Sequence, residues 1–382
     1  MTTTDAPGTT WARLDDRVLA WGEPSAAARA GAHGDVVRTS AAPDTLHLVT
    51  QVGRAFQDAH PDVPVVVDKG RYLVVALAPG RFAGSDDTCF RVRPLDPGET
   101  VFATAQRAPA EPRPEVRALV DGVDPERLAA DIAHLAGHPT RHSWSGGFRE
   151  ALGWAEQRFA SAGYTTRRAP IAVGAGESMN LLATSGADAD PQIVVCAHLD
   201  SINTAGGPTA PAPGADDNAS GVAGVLEMAR LLVGHPLAAA VQFILFGGEE
   251  EGLFGSLAHV DGLTAAERTR LRAVLNMDMI GTRNTAAAGV LIEGGPVSAH
   301  LVEHLVTAAH TYTDLRVQTS LDPFASDHVP FIDAGVPAVL TIEAADRSNA
   351  NVHSAADTAA TVDPGLAARI VAAGLAALAT LP

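Results

Sequence analysis

The chain has 382 residues, 46% of them hydrophobic and 19% charged, with a formal net charge of −17. That balance is ordinary for a soluble globular protein with a large core, and the acidity argues against nucleic acid or an anionic membrane as partner. The two cysteines, Cys89 and Cys196, are too far apart and too few to suggest a disulfide framework. Met1–Gly8 shows neither a basic nor an apolar leader segment, and no apolar run reaches spanning length, so a cytoplasmic location is expected.

Residues 1–9 are polar and read as a frayed end. Residues 10–106 read as a small α+β domain. A helix is expected to include Leu14, Val18 and Trp21, and another to run over Thr45–Ala59. A hairpin follows, Val63–Val67 and Tyr72–Leu77, around Asp68-Lys69-Gly70. His33, His47 and His60 lack metal-like spacing and read as structural or surface residues. Pro109, Pro112 and Pro114 mark residues 107–123 as a linker.

The main domain is expected over residues 124–382. Asp124 caps a helix with Pro125 in its first turn, and Leu128, Ile132 and Leu135 form its buried stripe. Phe148, Leu152, Ala155 and Phe159 mark a second helix that ends at Gly163. Strands are predicted at 180–184, 192–197, 241–246, 271–280, 290–293 and 336–342. Helices are predicted after Gly221, near 256–262, and over 297–311 and 364–381. This alternation predicts an α/β fold, a mostly parallel central sheet with helices on both faces.

The chemistry gathers at the ends of these strands. Ile193–Ala197 reads as a buried central strand that runs into His198 and Asp200. In open α/β sheets ligand sites collect at the carboxyl ends of strands. Gly214–Gly221 then brings Asp217 and Asn218 to the start of a helix, where side-chain oxygens cap free amides. The strand Val241–Phe246 leads into Glu249, Glu250 and Glu251, and Asp278 lies in the segment Leu275–Ile280. Two later loops bring Asp327 with His328, and His353. Imidazoles and carboxylates together suit zinc and its neighbours. Successive glutamates after an apolar strand would be costly unless solvent or a cation offsets them.

At these residues the chain resembles the zinc-dependent aminopeptidases with a co-catalytic metal pair, a wider family that also holds glutamate carboxypeptidases and glutaminyl cyclases. The resemblance covers about residues 124–382. It rests on His198-Leu-Asp200-Ser, Gly214-Ala-Asp-Asp217-Asn-Ala-Ser-Gly, Gly248-Glu249-Glu250-Glu-Gly-Leu, Asn276-Met-Asp278-Met, Ser326-Asp-His-Val-Pro-Phe and His353-Ser-Ala-Ala-Asp-Thr358. It implies a zinc-exopeptidase-like fold for this domain. It also implies that His198 and Asp278 hold one metal, Glu250 and His353 the other, and that Asp217 bridges them. Two Zn2+ per chain are then expected, although the ligand set alone leaves open whether one or two bind. Glu249 would be the general base, taking a proton as a metal-bound water attacks the carbonyl of a peptide or amide substrate and returning it to the leaving amine. Asp200 would accept a hydrogen bond from His198 and fix its tautomer. Asp327 and His328 would stand behind the ligands or on the substrate side, and Glu251 would be solvated.

Rival readings leave traces that can be checked. His300-Leu-Val-Glu303-His304 matches an inverted zinc-protease motif on a predicted helix. Its face continues through Thr307 and Thr311, opposite the apolar Leu301, Leu305 and Ala308, so a solvent-facing side is expected. Neither a Gly-x-Ser-x-Gly elbow nor a phosphate loop occurs. Glutaminyl cyclases carry an insertion after the Glu–Glu pair, where Glu249–Ser256 is compact here, and an aromatic where this chain has Val352. The carboxypeptidase branch wraps its core in extra domains unlike residues 10–106. A non-catalytic relative would have lost ligands, and none is missing. The expected activity is therefore that of a metal-dependent aminopeptidase, with Asn203–Pro213 shaping the mouth of the pocket. Side-chain preference and oligomeric state are not written in these motifs.

Overall fold

A computed structural model describes residues 9–22, 42–78, 81, 89–186 and 189–381. The polar stretch 1–8 and His33 lie outside the described residues. The chain divides into two units, one up to Thr104 and one from Ala105 onward.

In the first unit, β1 (Thr9–Leu14) and β2 (Arg17–Gly22) form an antiparallel hairpin, Thr9 facing Gly22 and Leu14 facing Arg17. The helix expected through Leu14, Val18 and Trp21 is therefore two strands. Their spacing fits a helical stripe only by coincidence, because the positive φ of Asp15 reverses the chain between them. Likewise Thr45–Ala59 is not one helix. Leu46–Gln51 is β3, with Leu48 and Val49 fully buried, and only Ala55–Ala59 (α1) is helical. The expected hairpin forms as β4 (Val65–Lys69) and β5 (Tyr72–Ala76), turning at Gly70-Arg71, and β6 (Phe90–Pro94) completes a sheet of order β4-β5-β3-β6. β7 (Thr100–Thr104) pairs in parallel with β1.

The first helix of the second unit lies inside the stretch read as a linker. Pro114–Val120 is a helix (α2), because proline in a first turn gives up an amide that has no partner there. Arg117 fastens it by donating to the carbonyls of Thr311 and Tyr312. In α3 (Pro125–Leu135) the Asp124 side chain accepts from the amides of Glu126 and Arg127, the cap its sequence implies. Next come α4 (Gly146–Ser161), β8 (Thr165–Val173), β9 (Gly176–Thr184) and β10 (Ile193–His198). After them lie α5 (Gly221–Leu232), β11 (Val241–Phe246), α6 (Phe254–Gly262), α7 (Ala265–Arg270), β12 (Ala273–Met277) and β13 (Gly289–Gly294). The unit closes with α8 (Ala299–Tyr312), β14 (Arg316–Ser320), α9 (His328–Asp333), β15 (Ala338–Glu343) and α10 (Pro364–Thr380).

Its strands run in the order β14-β13-β15-β12-β10-β11-β9-β8. β10 pairs in parallel with β11 and β12, β12 with β15, and β13 with β14, whereas β9 on β11, β8 on β9 and β13 on β15 are antiparallel. Both faces are covered. Ile193, Val195 and Ala197 of β10 join the larger core with α3, α4, α5 and α10, while Val194 and Cys196 join a smaller one with Val260 of α6 and Phe331 of α9. A strand buried on both sides has no place for polar alternation, which is why β10 was legible as an apolar run. Among the described residues no helix is long and apolar enough to cross a membrane.

Candidate metal centre

The three parallel neighbours β12, β10 and β11 end side by side. β10 finishes on His198, Asp278 follows β12, and Glu249–Glu251 follow β11 after two glycines. Asp217 arrives on an irregular turn, Ala215–Ser220, that leads into α5; its peptide bond to Asn218 is cis. Asn218 makes the helix-start bond, its Oδ1 accepting from Gly221 at 2.8 Å, while Asp217 turns into the site. His353 stands after β15 with φ of 57°, a left-handed conformation that costs a non-glycine residue about 1–2 kcal/mol.

Two clusters form, and they share Asp217. His198 Nε2 lies 3.2 Å from Asp217 Oδ1 and 3.3 Å from Asp278 Oδ1. His353 Nε2 lies 3.1 Å from Asp217 Oδ2 and 2.9 Å from Glu250 Oε2. One carboxylate thus gives an oxygen to each side. Within each cluster the donor atoms lie no more than 4.8 Å apart.

The surroundings hold these groups in place. Asp200 Oδ1 stands 3.6 Å from His198 Nδ1, and its Oδ2 accepts from the Glu250 amide at 3.1 Å. Ser326 donates to Asp278 Oδ2 at 2.7 Å and accepts from Asn276. The carboxylate of Asp357 accepts from the amides of Asp216 and Asp217, at 2.9 and 3.0 Å. Asp216 faces away from the clusters, accepting from Gly281 and from Asn349. That separates it from its neighbour Asp217.

The donor set fits a metal. Each cluster offers one imidazole and two carboxylates, and Glu250 Oε1 is buried without a hydrogen-bond partner. Imidazole nitrogen with carboxylate oxygen suits zinc. Burial, then the nearby charge of Asp217, pushes the Glu250 carboxyl up to about 7. Asp217 is itself buried, but hydrogen bonds from His198 and His353 hold it below the usual carboxylate range. Removing metal with a chelator is expected to lower the melting temperature, since a ligand bound only by the folded state stabilises it by mass action. Differential scanning fluorimetry with EDTA and with zinc added back checks this, and an unchanged melt would count against a bound ion.

Glu249 belongs to neither cluster. Burial drives its carboxyl well above the ordinary range; His198 pulls the other way, and Asp278, Asp327 and Glu250 add to the push. Asp327 is fully buried and raised to about 7, chiefly by burial. His328, also fully buried, faces Glu293 at 3.3 Å rather than either cluster. Glu251 is not solvated as expected. Its carboxylate accepts from Ser143 at 2.9 Å and lies 3.1 Å from His142 Nε2. Arg141, His142 and Ser143 were not foreseen as part of the site, and no local pattern marks them. The loop Asn203–Pro213 reaches the site, as Thr204 donates to the His353 carbonyl. In the inverted motif His300 and Glu303 are exposed, and His304 Nε2 meets the Ala377 carbonyl at 3.0 Å.

A mixed α/β sheet with twin nitrogen–oxygen clusters at its strand ends is the arrangement of a metal-dependent hydrolase. Residues 180–378 match peptidase family M28, more than half of the chain. The chain belongs to that family, and so to the zinc metallopeptidase class of hydrolases. A probable leucine aminopeptidase of Arthroderma benhamiae is 28% identical over 260 residues, 65% of this chain and 71% of that protein. The aminopeptidase YwaD of Bacillus subtilis is 36% identical over 147 residues, 38% of this chain but only 31% of its own length. The LapA aminopeptidase of Legionella pneumophila shares the fold, with a TM-score of 0.63 and 18% identity over 87% of this chain and 96% of that one.

Proposed function

We propose that the protein is an aminopeptidase that binds two zinc ions and releases N-terminal residues from peptides. The observation that carries this reading is Asp217, which turns one oxygen to the His198 and Asp278 side and the other to the His353 and Glu250 side. His198 and Asp278 would hold one ion, Glu250 and His353 the other, and Asp217 both. Bound there, zinc supplies Lewis acidity that polarises a carbonyl and makes water a nucleophile at neutral pH. Glu249 takes the proton of the attacking water and hands it to the leaving amine as the C–N bond breaks. Its half-buried position, next to the clusters and outside them, suits that role. Asp200 Oδ1, 3.6 Å from His198 Nδ1 and short of a hydrogen bond to it, would orient the ring and so set which nitrogen points at the ion. The names of the relatives support the aminopeptidase side of the family.

The test is mass-spectrometric cleavage of a short peptide pool, each peptide with a free and an acetylated N-terminus, with and without chelator. Stepwise loss from free N-termini alone, abolished by chelator, is expected. Trimming from the other end would move the protein to the carboxypeptidase branch, and loss of ammonia from N-terminal glutamine to the cyclases. Because Asn203–Pro213 bonds to the His353 backbone, shortening this loop is expected to change the preferred N-terminal residue. An unchanged preference across the same pool would refute its role at the pocket mouth.

A further inference from the structure

We propose that Arg141-His142-Ser143 is a positioning strut for the metal centre, with Ser143, directly and through Asp200, fixing the backbone on both sides of Glu249. The inference rests on the metal-site reading above. The tripeptide precedes α4 and lies far in sequence from every motif of the site. Yet its polar atoms go to the loops that carry the site. Ser143 Oγ accepts from the Gly248 amide at 2.8 Å. Its proton has two acceptors in reach, Glu251 Oε2 at 2.9 Å and Asp200 Oδ2 at 3.3 Å. The same Asp200 oxygen accepts from the Glu250 amide at 3.1 Å. Gly248 and Glu250 flank Glu249, so one buried hydroxyl and its partner carboxylate pin the peptide units before and after it. On the far side Glu251 Oε1 lies 3.1 Å from His142 Nε2.

Arg141 secures the other two loops. It is fully buried, and its guanidinium donates to the carbonyls of Leu199, at 2.9 Å, and Gly214, at 2.9 Å, as well as to Pro213. Its amide donates to Ser201 Oγ at 3.0 Å. Leu199 sits between His198 and Asp200, and Gly214 opens the turn that carries Asp217. Gly214 has φ of 55°, and a Cβ there would stand 3.0 Å from Arg141 Nη2 and 2.3 Å from the Asp217 carbonyl oxygen. The positive φ and the Asp217 carbonyl oxygen, more than the guanidinium, therefore require glycine at this position. A strut that bonds backbone rather than ligand atoms sets where the loops lie without competing for the ions. Groups behind a metal shell of this kind are worth about 10- to 100-fold in metal affinity or activity.

The test compares Ser143→Ala, Ser143→Thr and Glu251→Gln with the parent by steady-state kinetics, zinc affinity in competition with a chromogenic chelator, and thermal melting. Ser143→Ala is expected to lose about 10- to 100-fold in kcat with KM within about twofold, and to hold zinc more weakly. Ser143→Thr, which keeps the hydroxyl, is expected to recover most of the loss. Parental kcat and zinc affinity in a folded Ser143→Ala would overturn the proposal, as would a loss that falls equally on kcat and KM and that threonine does not relieve. If Ser143→Ala does not fold, Glu251→Gln decides: lowered kcat at an unchanged melt supports the strut, and parental kcat overturns it. Zinc affinity separates this inference from the peptidase reading. A parent that cleaves no peptide, with zinc loosened by Ser143→Ala, would sink the activity and keep the strut; an active parent with nothing changed would do the reverse.

Discussion

Glu249→Gln is expected to lower kcat by about 10³-fold while leaving zinc content and KM near those of the parent. The substitution keeps the side chain's length and shape but removes the group that can take up a proton. General acid–base catalysis is worth about 10²- to 10⁴-fold, which sets the size of the effect. Zinc should stay because Glu249 belongs to neither cluster, and the oxygen of its neighbour Glu250 that faces His353 is unchanged. Steady-state rates beside elemental analysis of the dialysed protein give both numbers. Turnover at the parental rate would sink the proton-shuttle role, and loss of zinc would make Glu249 a ligand.

Asp217→Asn is expected to be worse than losing either histidine. The Asp217 oxygens stand 3.2 Å from His198 Nε2 and 3.1 Å from His353 Nε2, so neutralising the group weakens both clusters together. Zinc affinity should fall by on the order of 10²-fold or more at each, and activity should fall below detection. His353→Ala, by contrast, leaves His198, Asp217 and Asp278 together and should retain one ion per chain. Metal-to-protein ratios after equilibrium dialysis against a graded zinc buffer distinguish the two variants. Equal ratios in both would mean that Asp217 does not serve two ions. The buried carboxylates also give the metal-free protein a reason to be less stable, since their charges would face one another without an offsetting cation.

The parts of the site that are local in sequence were legible in it. His198 and Asp200 follow an apolar strand, Glu249 and Glu250 follow another, and the structure brings His198, Asp217, Asp278, Glu250 and His353 together as the motifs imply. What escaped was contact across sequence. Ser143 reaches Asp200 and Glu251 through the fold alone, and a serine between a histidine and a tryptophan carries no pattern of its own. Glu251 reads as solvated because it sits at a variable position of the motif that the chain shares with the aminopeptidases. Burial against His142 depends on a segment more than a hundred residues earlier. Asp357 could have been found, because it lies within the motif that begins at His353 and holds two amides of the Asp217 turn. In the fold, two-sided burial made the central strands plain. β8 went unseen because it lies at the end of the sheet and places Arg167 and Arg168 in mid-strand. The first unit misled for a different reason: short strands joined by tight turns can mimic a helical spacing over seven or eight residues.

The clusters are assembled from positions as distant as His198 and His353, on loops whose spacing is set by neighbouring parallel strands. Parallel strands are joined by long crossovers and come together late, since many residues must be ordered before their contacts form. A zinc ion therefore has nothing to grip until the sheet has closed. In a zinc finger the metal is the seed of the fold, and the chain without it is unfolded. In the two-zinc reading proposed above the order would be reversed: the strands must pair before the donor atoms of either cluster meet.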